Sequence, residues 1–81
     1  LLEQRNIAEF SVCSGSTVEN KLVRDIEWPT DTLLVDIKRG EQRLIPAGNT
    51  RIRAGDFLYI LTHNKNIVFL QQLTCEKISE K

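Results

Sequence analysis

The stretch Thr32-Leu33-Leu34-Val35-Asp36-Ile37-Lys38-Arg39-Gly40-Glu41, followed by Gln42 to Pro46, decides how the chain is read. Its first seven residues are rich in β-branched and large apolar side chains, as expected of a central strand. Arg39-Gly40-Glu41 then reads as a turn, and Gln42–Pro46 as the returning arm of a hairpin. Working outward, Gly48-Asn49 marks a second turn and Gly55-Asp56 a third. Thr50-Arg51-Ile52-Arg53, between them, reads as a short polar strand with one inward residue. Phe57-Leu58-Tyr59-Ile60-Leu61-Thr62 is the most apolar run and is expected at the centre of the sheet. Towards the amino end, Ala8-Glu9-Phe10-Ser11-Val12-Cys13 alternates apolar and polar residues with the period of a half-buried strand.

Two helical stretches flank these strands. Leu22, Val23 and Ile26 predict a short helix, starting at Thr17 if Ser16 and Glu19 form a capping box, or at Lys21 if Asn20 is the N-cap. Trp28-Pro29 ends it, because a residue before proline is pushed out of the helical region. Asn64 reads as the N-cap of a terminal helix with Ile67, Leu70 and Leu73 on one face and Val68 or Phe69 flanking. The charged tail from Glu76 is expected to fray. The expected architecture is α+β, a small two-layer sandwich of about five short strands and two helices. Residues 1–81 read as one domain with a core from about 7 to 74.

Eighty-one residues bury a limited share of the unfolded surface, so extra stabilisation is expected from disulfides, metals or a partner chain. Cys13 and Cys75 sit in no paired spacing, so a disulfide is conceivable but not implied. One histidine offers no zinc-like cluster. A second copy of the chain is the remaining route. Eleven basic residues balance eleven acidic ones, whereas nucleic-acid binders carry a basic excess. No apolar run approaches the ~20 residues of a membrane span. The opening Leu1-Leu2-Glu3, in a chain without methionine, reads as a fragment of something longer.

Catalytic chemistry finds little support. A nucleophile needs a base within reach, and the lone His63 reads as a solvated or capping residue. Both cysteines read as small hydrophobes or surface thiols. Asp56, after Gly55, reads as a turn aspartate bonding the backbone. No phosphate-cradling glycine run is present. Lys38, Arg39, Arg43, Arg51 and Arg53 cluster near the hairpin. They read either as a solvated face with edge charges against aggregation or as guanidinium forks for phosphate.

The run from Trp28-Pro29 through IKRGE (37–41) and LIPAGNT (44–50) to the Gly55-Asp56 turn and the following strand resembles the TrkA-C domain, the carboxy-terminal lobe of RCK-type regulators. Gly15-Ser16 and Asn20-Lys21-Leu22 fit the same pattern, with asparagine at position 20 where the family has glycine. Asparagine is among the residues that best tolerate the left-handed region. The likeness covers about Ile7 to Leu73.

This resemblance implies a dimeric α/β domain without enzymatic activity, on the cytoplasmic face of a bacterial membrane. It would be attached to an ion channel or transporter, in the same chain or a partner chain. The wording of 37–50 is most similar to domains appended to CLC-type chloride proteins. It implies no obligatory cofactor and no nucleic-acid polymer, but a possible ligand, cyclic di-AMP, in a groove between two subunits. That groove would be lined by Leu34, Val35, Asp36, Ile37 and Arg39, faced by Arg43, Leu44, Ile45 and Pro46, with Arg39 and Arg43 meeting phosphate. The rival expectations are a purely structural dimerisation module and the C-lobe of a Trk/Ktr potassium-uptake regulator.

Overall fold

A computed structural model describes residues 5–75. Four strands, β1 (Arg5–Ser11), β2 (Thr32–Arg39), β3 (Gln42–Leu44) and β4 (Phe57–His63), form one antiparallel sheet in the order β1-β4-β2-β3. The α+β architecture is as expected, and so is the internal position of β4. Among the described residues one α-helix, α1 (Ile67–Cys75), follows β4. The expectation about the tail from Glu76 falls outside the described residues.

One face of the sheet carries the core. Phe10 of β1, Ile37 of β2, and Leu58 and Ile60 of β4 point inward, against Val12, Val18, Ile26, Ile52 and Leu70. Antiparallel pairing puts Phe10 opposite Leu58, and Leu58 opposite Ile37, so three adjacent strands contribute to one apolar layer. Burying such a side chain contributes ~1.5–3 kcal/mol. In α1, Leu70 is buried and Ile67 and Leu73 pack at the core's margin, as their spacing predicts, while Val68 and Phe69 remain exposed. His63 caps the start of this segment. Its Nδ1 accepts from the Lys65 N–H ahead of a 3-10 turn at Asn64–Asn66, so the cap is His63 rather than Asn64.

The element count differs from five strands and two helices. The helix expected around Leu22–Ile26 is only a 3-10 turn, Val23–Asp25. Both proposed starts fail for local reasons. Asn20 adopts φ +67°, the left-handed region, and stops the preceding turn. Glu19 reaches back to the Gly15 N–H at 2.7 Å, while Ser16 Oγ is buried and has no partner among the described residues. The backbone then pairs with the segment expected to be a strand: Asn20 N–H bonds Ile52 O, Ile52 N–H bonds Lys21 O, and Val23 N–H bonds Thr50 O. Residues 50–53 thereby form a loop ladder with a single bridge, Leu22 to Arg51, and not a strand of the sheet. Ile52 is the inward residue, as expected. The returning arm of the hairpin is also shorter, ending at Leu44 ahead of Pro46.

Cys13 and Cys75 form a disulfide across 62 residues of sequence. The sequence carried no pairing signal because the two meet only through tertiary structure. The Cys13 N–H bonds Thr74 O at 2.9 Å, which lays the end of α1 beside the residue following β1.

The three expected turns are present. Gly40 has φ +60°, which a two-residue hairpin connection demands and glycine supplies without a Cβ penalty. At the third turn, Asp56 is 1% exposed and its carboxylate accepts the Arg53 N–H at 3.0 Å, the backbone role read from sequence. It also accepts two bonds from Arg39, through Nε and Nη2, each 2.8 Å. A second Arg39 Nη2 contact reaches Arg51 O at 2.9 Å. This clamp ties the end of β2 to the loop before β4.

Candidate functional site

Among the described residues, no element covers the face of the sheet opposite α1. Strand alternation brings Ile7, Leu61 and Leu33 side by side across β1, β4 and β2, since Ile7 pairs with Leu61 and Leu61 with Leu33. Ile7 and Leu33 are about three-fifths exposed, and Val35 and Phe57 are also exposed. Val35 owes its exposure to a β-bulge: the β2–β4 register shifts between Leu34 and Asp36, leaving one extra residue. The Asp36 carboxylate accepts its neighbour's Ile37 N–H at 2.9 Å beside this irregularity.

A polar row crosses the same face. Tyr59 OH donates to Glu9 Oε2 at 2.8 Å, the Arg43 guanidinium lies 5.3 Å from the centre of the Tyr59 ring, and Arg43 pairs with Asp36. The bond to Glu9 holds the Tyr59 phenol above its ordinary value of 10.0. As an acid whose folded value is raised, Tyr59 favours the fold while it is protonated and loses that contribution as pH rises through the folded value. Ultraviolet titration of the wild type is expected to show a late tyrosinate transition, and Glu9→Gln to bring it earlier. Coincident curves would show that the Glu9 bond does not set it.

Beside this face lies a cleft of about 250 Å³, at the start of β2 and the exit from β3. Leu33, Leu34 and Thr32 form one wall, Pro46, Ala47 and Gly48 the other, with Val23 and Trp28 completing the lining. The Trp28 indole N–H donates to Val23 O at 3.1 Å, which fixes the ring against the 3-10 turn. Thr50 closes the opposite turn, its Oγ1 accepting the Ala47 N–H. Among the described residues, the lining contains no charged side chain. It suits a flat, weakly polar group such as a nucleobase, with any charged part held outside.

Of the residues expected to line a groove, the cleft brings together Leu34 and Pro46. Ile45, beside Pro46, is 92% exposed. Val35 and Asp36 lie on or near the open face, and Leu44 packs at the edge of the core. Ile37 is wholly buried within it. Arg39 is engaged by Asp56 and Arg43 by Asp36. The groove expected from sequence leaves out Val23, Trp28, Thr32, Leu33 and the Ala47-Gly48 backbone, which line the cleft. Trp28 carried the one available signal, an aromatic able to stack on a base, but in a domain this small an aromatic is more often core.

The TrkA-C domain model matches residues 7–69. The chain belongs to the TrkA-C domain family. TrkA-C domains are regulatory, and the match runs from within β1 through β4 and takes in the cleft. The chain is 30% identical over 63 residues to the Trk system potassium uptake protein TrkA homolog of Archaeoglobus fulgidus, covering 78% of this chain and 14% of that protein. Its fold is similar to that of an RCK domain determined with cda, at a TM-score of 0.75 and 25% identity, covering 84% of this chain and 96% of that one. Among the described residues, no helix is long and apolar enough to cross a membrane.

Proposed function

We propose that this TrkA-C domain is a ligand-sensing, dimerising regulatory domain of a membrane ion channel or transporter. It binds cyclic di-AMP between two copies, on the cytoplasmic face of the membrane. The observation that carries the reading is the uncharged cleft at the margin of an uncovered apolar sheet face. The cleft accepts a base, and the face offers a second copy the same patch in return, as two-fold pairing requires. A two-fold symmetric dinucleotide then meets one cleft from each subunit. The similar RCK domain determined with cda supports this reading. Binding shifts the dimer towards one arrangement, by no more than the ligand's differential affinity for the two.

For the parent protein, CLC-type chloride transport rests on the wording of residues 37–50. A second reading, the C-lobe of a Trk-type potassium-uptake regulator, is favoured by the Archaeoglobus fulgidus relative.

Calorimetric titration of the chain with cyclic di-AMP tests the sensing role. The expected result is saturable binding at micromolar concentrations with one ligand per two chains. Binding of one ligand per chain would remove the shared site. No heat at tens of micromolar, with a dimer seen by light scattering, would leave a structural dimerisation module.

A further inference from the structure

Among the described residues the cleft lining carries no charge, so the phosphates of a dinucleotide must find their cation at its rim. Arg39 and Arg43, the arginines that the family likeness nominates, are poorly placed for this. Arg39 lies in the same strand as Leu34 but five residues further on, roughly 16 Å at ~3.3 Å per residue. Its Nε and Nη2 are both spent on Asp56. Arg43 pairs in register with Lys38, towards the same far end of the hairpin, and its charge is met by Asp36. Arg5 is matched by Asp31, and Arg51 donates to Asn20 O.

Arg24 is different on each count. It follows Val23, which lines the cleft, and its backbone N–H bonds the carbonyl of Gly48, which lines the opposite wall, at 3.0 Å. Its stem lies along Gly48: a Cβ built there would meet Arg24 Cβ at 3.5 Å and Cδ at 4.0 Å. Arg24 is exposed, and among the described residues its guanidinium makes no ion pair or side-chain hydrogen bond. A guanidinium whose donors are uncommitted binds phosphate without first giving up a carboxylate partner.

We infer that Arg24 is the residue that meets the phosphodiester of a dinucleotide whose base occupies the Trp28–Gly48 cleft. This inference rests on the cyclic di-AMP reading and assigns its electrostatic contact to a residue outside the groove inferred from the family.

The test is calorimetry of the full chain with cyclic di-AMP at low and high salt, using wild type, Arg24→Ala, Arg24→Lys and, as a control at an exposed arginine outside the cleft and the open sheet face, Arg53→Ala. Arg24→Ala is expected to weaken binding at least tenfold and flatten its salt dependence, because one phosphate contact is gone. Arg24→Lys should restore the salt dependence and part of the affinity, and Arg53→Ala should change binding less than threefold. Thermal melts check that each variant stays folded. Unchanged affinity in Arg24→Ala, or a loss that leaves the salt dependence intact and is not relieved by lysine, overturns the assignment while the sensing role stands. Absence of binding by wild type overturns both.

Discussion

Reduction of the Cys13–Cys75 disulfide is expected to lower the thermal midpoint of this domain by roughly 15–30 °C. The bond closes a loop with a sequence separation of 62, and removing such a constraint restores chain entropy to the unfolded state worth about 4 kcal/mol. In a domain of this size each kcal/mol moves the midpoint by about 4–8 °C. The effect is large relative to the small surplus of stability that a chain of this length has. Melts followed by circular dichroism with and without a phosphine reductant measure it, with Cys13→Ser/Cys75→Ser as the control that reductant should no longer affect. A shift of only a few degrees would mean that the strand–helix contact, including the Cys13 N–H to Thr74 O bond, holds without the bond. In its oxidised form the pair supplies extra stabilisation; as thiols in a reducing cytoplasm it would leave that need to a second copy of the chain.

The next largest effect is expected at the Arg39–Asp56 clamp. Arg39→Ala leaves a carboxylate that is 1% exposed with, among the described residues, only the Arg53 N–H for company. Removing one partner of such a pair costs about 3 kcal/mol. Asp56→Ala should cost less, since the Arg39 side chain is one-third exposed and can turn to solvent. The double variant should cost less than the two singles combined, which a denaturant-melt cycle resolves. Strictly additive costs would mean that the pair contributes little to the fold. The hydrogen bond to Asp56 also raises the Arg39 guanidinium above its ordinary range. For a base held up in this way the contribution is complete below the unfolded value and is lost only as pH climbs through the folded one, so Arg39 brings no pH dependence near neutrality. Loss of ligand response in Arg39→Ala would therefore be hard to separate from loss of stability, whereas Arg24 offers a cleaner probe.

The strands were legible where pattern and burial agree. Phe57–Thr62 announced a central strand because alternate residues, Leu58 and Ile60, are buried and the intervening ones are large enough to cover the other face. The hairpin turn was legible because Gly40 is where the chain must take a positive φ. The region 16–26 was misread for an equally local reason. Its apolar residues have helical spacing, but Asn20 takes the left-handed conformation and the Thr50–Ile52 backbone competes for the same hydrogen bonds. The site was legible only in part. Leu34 and Pro46 fall in the cleft, but the bulge at Val35 changes which side chains of β2 face outward, so regular alternation sends Ile37 to the wrong side. The arginines could be counted in the sequence, but the carboxylates that occupy them could not.

The covalent link between the end of β1 and the end of α1 has a mechanical consequence. Tension applied between the two ends of the domain runs along β1 to Cys13 and crosses directly to Cys75. The enclosed segment, with β2, β3, β4 and the cleft between Trp28 and Gly48, lies off the load path. A pull strong enough to peel β1 from β4 would still leave that segment closed as a ring, so strain arriving from a neighbouring part of a larger protein would reach the edge strand first.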